Sequence, residues 1–258
     1  MRPVESLVRR VSFLLLPGIL ALCGCAVDRD ESRAALRHAM GAGPGILVFG
    51  EIHGTNEAPE YFARLADHLS KRHGPLLVGL EMPSETVRAG CSAAAAGDPF
   101  WTRIRDGRSS GAAWRMLCRL KSLEASGRIR LFGFAGGRAS GGGDPYTGPV
   151  TANLASSGRA LLHVGNFHAR RAAGSLVQDL ADRGVRVLTL TISSGATTAW
   201  TCDRQGRCDA KPFNADICGG SPVAPAYFTD RWGSPASGAM WDGCLAFPSL
   251  TASPPWQP

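Results

Sequence analysis

Five short and nearly uninterrupted apolar runs constrain this chain more than any other feature. They lie at 46–50, 76–81, 129–134, 160–165 and 185–192, with a weaker sixth at 244–247. A strand with one wet face alternates apolar and polar residues, whereas a continuous run suits a strand covered on both faces. Helical patterns fill the gaps. Pro59 fits a first helical turn, Phe62, Leu65, Ala66 and Leu69 recur on one face, and Gly74 stands where a C-terminal cap belongs. Trp114, Leu117, Leu120 and Leu123 repeat that spacing within 110–126, as Leu176, Val177 and Leu180 do within 172–183. This alternation predicts an α/β layered sandwich, a mostly parallel central sheet flanked by helices.

Two regions break the order. Residues 135–149 are glycine-rich and read as a mobile surface loop. Beyond about residue 195, Gly, Pro, Ser and Cys accumulate without periodicity. That predicts a disulfide-pinned extension over 194–258, packed on a 44–193 core rather than folded as a separate domain. Cys91, Cys118, Cys202, Cys208, Cys218 and Cys244 make an even set, which implies disulfides in an exported chain, although six cysteines allow fifteen pairings. Cys202 and Cys208 flank a short polar loop and are the first expected pair; Cys91–Cys118 and Cys218–Cys244 follow by elimination and proximity. No Cys-x-x-Cys spacing marks a metal-cysteine cluster.

The export expectation comes from the N-terminus. Arg2, Arg9 and Arg10 accompany an apolar stretch too short to span a bilayer, the pattern of a signal peptide over 1–24. Leu22-Cys23-Gly24-Cys25 resembles a bacterial lipobox, which would make Cys25 the lipidated first residue of the mature chain, followed by a linker and helix over 25–43. A lipid-anchored protein of the bacterial envelope follows, on the periplasmic side of the outer membrane, with several acyl chains holding it firmly. Without residues 1–24 the formal charge falls from +7 to +5. No basic block and no basic–aromatic alternation suggests a nucleic-acid partner.

Ionisable residues gather where three of the runs end. The first run delivers Glu51 and His53, the second ends in Leu-Glu-Met-Pro with Glu81, and the fourth continues through His-Val-Gly-Asn-Phe-His to His168. In open α/β sheets, functional groups collect beyond the carboxyl ends of the strands. Residues two apart on extended backbone face the same side, so Glu51 and His53 can share one crevice, with Gly50 and Gly54 allowing a tight turn. Two carboxylates and two imidazoles suit acid–base activation of water. The same set, as His53, His168 and Glu81, could instead hold a divalent metal. Asn166 could orient substrate. His163, inside the fourth run, reads as a core histidine rather than a ligand.

Phe-Gly-Glu-Ile-His-Gly at 49–54, Val-Gly-Leu-Glu-Met-Pro at 78–83 and His-Val-Gly-Asn-Phe-His-Ala at 163–169 resemble motifs of one superfamily. It includes the ChaN-like haem-uptake lipoproteins, the erythromycin esterase-like hydrolases and the Tiki/TraB-type metalloproteases. The resemblance spans roughly residues 44–193 and implies a Glu/His cluster at one end of the sheet, with Glu51, His53, Glu81 and His168 as its members. In many relatives an Arg-Asp pair precedes the last Gly-x-x-His; here that segment reads Gly-Asp-Pro-Tyr-Thr-Gly-Pro, without the pair. Two functions remain open. One is a hydrolase of a small-molecule or peptide ester or amide, metal-assisted or not. The other is a haem- or metal-binding lipoprotein without turnover, for which Tyr61, on the first helix, is the nearest candidate ligand.

Overall fold

The computed structural model describes residues 45–92, 97–136, 143–155, 158–203, 205–215 and 240–257. The signal segment, Cys25 and Cys218 lie outside them. Each of the six apolar runs forms a strand: β1 (Gly45–Glu51), β2 (Leu76–Pro83), β3 (Ile129–Ala135), β4 (Arg159–Gly165), β5 (Val187–Ser193) and, after the hairpin β6 (Thr198–Cys202) and β7 (Cys208–Pro212), β8 (Gly243–Ala246). The main sheet has six strands in the order β3-β2-β4-β1-β5-β8, and every neighbouring pair runs parallel. The fold is α/β, as the alternation of runs predicts.

Helices cover both faces. On one side lie α1 (Glu57–His73), α2 (Ser84–Ala89), α3 (Pro99–Arg103) and α4 (Gly111–Ala125), packing Phe62, Leu69, Trp101, Met116 and Leu120 against Leu47, Phe49 and Leu161. On the other lie α5 (Thr147–Leu154), α6 (Asn166–Ala169) and α7 (Leu176–Asp182), packing Val150, Leu176, Val177 and Leu180 against Ile46, Val48 and Leu162. Consecutive residues of β1 and β4 thus enter opposite cores, which is why these strands read as continuous apolar runs. The helices begin where the sequence supplies caps: Ser110 accepts from Ala113 N–H at 3.2 Å, and Ser175 from Gln178 N–H at 3.2 Å. The Ser175 cap, after Gly174 at φ +75°, starts α7 four residues later than periodicity alone suggests. Acidic residues in the first turn of α1 and basic ones in its last turn oppose the helix dipole.

The C-terminal extension does more than pack. β8 adds a strand to the sheet edge beside β5. The β6–β7 hairpin is closed by the expected Cys202–Cys208 disulfide, and Cys91–Cys118 ties α2 to α4. Cys244 is disulfide-bonded as well. These bonds are what an exported chain in an oxidising compartment carries. Among the described residues no helix is long and apolar enough to cross a membrane. The extension also grips the turn after β1: Trp200 N–H and Ser253 N–H both donate to Gly54 O, at 2.9 and 2.7 Å.

The glycine-rich segment departs from expectation. Residues 137–142 lie outside the described set, but 143–149 is not a mobile surface loop. Asp144 and Tyr146 are buried, and Thr147 opens α5. Glycine content predicted freedom; the aromatic ring of Tyr146, packed against Phe134 at 5.3 Å, overrides it.

Candidate active site

The carboxyl ends of β1, β2 and β4 are adjacent in the sheet, and their last residues form the site. Glu51 pairs in register with Gly165, and Phe49 with His163. Because side chains alternate, Glu51 and His163 emerge on the same face of neighbouring strands. His163 Nε2 stands 3.1 Å from Glu51 Oε2, without the alignment of a hydrogen bond. It is a core histidine, stacked on Phe49 and edge-on to Phe62, and also part of the charge cluster. The sequence offered only the first role.

His53 follows the strand and turns back over it. Its Nδ1 shares a proton with Glu51 Oε1 at 2.7 Å, while Nε2 faces Glu81 Oε2 at 3.7 Å. Glu51 and Glu81 are 5 % and 6 % exposed, yet the His53 side chain retains 26 %. Glycine at 165 makes room for the ring: a Cβ there would lie 2.6 Å from His53 Nε2. Its N–H donates to Glu81 Oε2 at 2.7 Å, so one residue both seats the imidazole and aims the second carboxylate.

Electrostatics follow from this clamp. Burial opposes a charged His53, but the hydrogen bond to Glu51 and the charges of Glu81 and Glu51 outweigh it, holding the imidazole up at about 9. Burial likewise pushes Glu51 upward, and the charge of His163 with the hydrogen bond and charge of His53 overcomes it, bringing the carboxyl down to about 2. At neutral pH His53 is therefore an imidazolium bonded to the Glu51 carboxylate, with Glu81 on its other side.

His168 leaves β4 on α6 and has a different partner. Its Nδ1 lies 2.5 Å from Asp144 Oδ2. Asp144 is fixed in turn, accepting from Tyr146 N–H through Oδ1 at 2.9 Å and donating its own N–H to Asp179 Oδ2 at 2.7 Å. Tyr146 joins the two halves: its hydroxyl donates to Glu81 Oε1 at 3.0 Å, and its ring centre lies 4.6 Å from that of His168. Burial, and then the Glu81 charge, raise the Tyr146 hydroxyl well above its ordinary value, keeping it a neutral donor.

Glu51 and Glu81 thus both face His53, and His168 connects to Glu81 through Tyr146. Asn166 and Tyr61 stand apart. Asn166 Oδ1 accepts from Thr191 Oγ1 at 2.6 Å, inside the junction where α6 crosses Gly50. Tyr61 stacks on Phe49 at 5.9 Å and meets Phe247 edge-on, half-buried against the core. Asp144 and Tyr146 escaped the sequence reading because no spacing links residues 144–146 to 168. The available signals were an Asp-Pro-Tyr inside an otherwise glycine-rich stretch and its place before the last Gly-x-x-His, where relatives carry the Arg-Asp pair.

The expected ligand set His53, His168 and Glu81 does not converge on a point. Both nitrogens of His53 face carboxylates, and Asp144 occupies Nδ1 of His168. Among the described residues no three His, Cys, Asp or Glu side chains are placed to hold a metal ion.

No family model matches this chain, and no curated protein matches it. Among solved structures, it is similar to a protein from Bacillus cereus at TM-score 0.61, with 9 % identity over 91 % of this chain and 95 % of that one. It also matches the type III effector HopBA1 at TM-score 0.44, with 13 % identity over 79 % and 88 % of the two chains. At such identity the Bacillus cereus likeness is one of fold alone.

Proposed function

We propose that this protein is an exported, lipid-anchored hydrolase that cleaves an ester or amide in a small molecule or peptide by acid–base chemistry. One observation carries the reading: two carboxylate–imidazole pairs, Glu51–His53 and Asp144–His168, stand on one sheet rim and are joined by Tyr146. Hydrolysis needs a base to activate water and an acid for the leaving group, and a site with two differently held imidazoles provides both. The resemblance of the motifs at Gly50–His53, Glu81 and Gly165–His168 supports the same reading. So does the pattern of residues 1–25, which supports lipid attachment at Cys25 on the periplasmic side of the outer membrane.

His53 starts the cycle protonated, since its clamp holds it near 9, and acts as the acid. His168, fixed through Nδ1 by Asp144, is the base. It takes a proton from water as the water oxygen bonds to the acyl carbon. The carbon–heteroatom bond then breaks, its electron pair leaves with the alcohol or amine, and His53 supplies that group's proton. Proton exchange with solvent resets both rings. Glu51 and Glu81 hold the imidazolium of His53, and Tyr146 keeps Glu81 in place.

Turnover of p-nitrophenyl acetate by the full chain tests the proposal. It should fall by about 100-fold or more in His53→Gln and in His168→Gln, each with unchanged circular dichroism; turnover unchanged by both substitutions would remove it. Acyl-chain labelling lost in Cys25→Ser tests the anchor separately.

A further inference from the structure

The loop between α3 and α4 lies against the site. Gly107 adopts φ +91°, and a Cβ there would come within 2.7 Å of Gly54 N and 2.8 Å of Trp200 O. Residue 107 therefore sits directly on the backbone of the turn that presents His53. The loop is tied from outside as well: Trp200 Nε1–H donates to Arg105 O at 3.1 Å, and Trp256 N–H to Ser109 O at 2.9 Å.

Arg108 is the residue this scaffold delivers. Its Nε and Nη2 grip the Asp106 carboxylate at 3.0 and 2.7 Å, leaving Nη1 without a partner among the described residues. An exposed ion pair by itself contributes roughly 0–1 kcal/mol and would not require a left-handed glycine wedged against another loop. The guanidinium also acts on the site. The hydrogen bond and charge of Asp106 raise it despite burial, Glu81 and Tyr146 add to the rise, and Arg108 in turn opposes the charging of His53.

We propose that Arg108 is the oxyanion donor of this site, its Nη1–H binding the carbonyl oxygen of the scissile ester or amide. This rests on the hydrolase reading above. The rim carboxylates Glu51, Glu81 and Asp144 disfavour an anion bound in the ground state, and of these Glu81 acts on Arg108. A carbonyl oxygen is neutral on arrival and gains charge only as water attacks, so a single guanidinium aimed there stabilises the transition state selectively. Asp106 is a positioning residue, engaging the Nε and Nη2 edge of the fork so that the Nη1 edge is held in one orientation.

The test uses the full chain, turnover of p-nitrophenyl acetate, and calorimetric titration with p-nitrophenyl methylphosphonate, a charged tetrahedral mimic. Arg108→Gln should lower kcat by about 100-fold and move KM by less than about threefold. It should weaken phosphonate binding by a comparable factor, with the melting temperature held. Arg108→Lys, keeping charge but losing the fork, should recover part of both losses, and Arg103→Gln, at the exposed end of α3, should change neither. Unchanged kcat in Arg108→Gln, or a rise in KM alone, overturns the assignment while leaving the hydrolase reading standing. Arg108-dependent phosphonate binding without wild-type turnover would instead sink the hydrolase reading and leave Arg108 an anion site. Neither turnover nor phosphonate binding in the wild type would remove both.

Discussion

The two imidazoles of this rim are held in different ways. His53 is built on the sheet: Glu51 ends β1, Glu81 closes β2, and Gly165, the last residue of β4, seats the ring. Its partners are backbone-fixed strand ends under two hydrophobic cores. His168 stands on a four-residue helix and depends on Asp144, which reaches it from the segment before α5 and is itself held by Asp179 on α7. The first pair is locked by the sheet and the second by a layer resting on it. An acid must keep its proton until the leaving group departs, and a clamp of two carboxylates does that. A base must be reloaded each cycle, and a ring with one carboxylate partner and some exposure suits it.

That contrast can be broken experimentally, beginning where the largest effect is expected. His53→Gln should lower kcat for ester turnover by about 10³–10⁴-fold, the upper range for one proton carrier, and His168→Gln by about 10²–10³-fold. If the double variant falls no further than His53→Gln, the rings act as one unit; a multiplicative loss means that each moves its own proton. Gly165→Ala comes next. Its methyl would meet His53 Nε2, so turnover should drop by about 100-fold while binding of Asp144 to His168 persists. Steady-state kinetics with the imidazole proton signals of both histidines followed by NMR would check it. An unshifted His53 signal would contradict the packing.

Stability sharpens the comparison through pH. The folded His53 holds its proton to about 9 against an ordinary 6.5. Its contribution is therefore complete below 6.5 and is lost as pH rises through 9. Glu51 runs the other way: its contribution is present above 4.5 and is lost as pH falls toward 2. The melting temperature of the wild type should therefore decline from pH 6.5 to 9 relative to His53→Gln, and parallel curves would contradict the clamp. The smallest effect belongs to Asp144→Asn. It weakens the hydrogen bond to His168 and costs about 1–3 kcal/mol in denaturant midpoints, with His53 titration unaltered.

Much of this molecule was legible before folding, and the part that was not has a common cause. Continuous apolar runs named every strand of the main sheet within a residue or two, because a strand buried on both faces needs hydrophobic side chains at consecutive positions. The first cluster was legible for a related reason: Glu51, His53 and Glu81 stand at the ends of such runs, where functional groups gather in an open α/β sheet. His163 was seen, yet its contact with Glu51 was not, since that depends on which strand lies beside β1. Only the β2-β4-β1 order supplies it.

Asp144, Tyr146 and Arg108 were hidden for a stronger reason. Each reaches the rim from a loop whose own sequence looks solvated, and each is fixed by partners elsewhere in the chain: Asp179 for Asp144, Phe134 for Tyr146, Gly54 and Trp200 for the turn that carries Arg108. Periodicity records what an element does with its own face and is silent about which loop will be pressed against it. By itself the sequence determined a buried parallel sheet with charge at its strand ends. Tertiary packing decided which imidazole each carboxylate would hold, because that choice is made between residues that share no period.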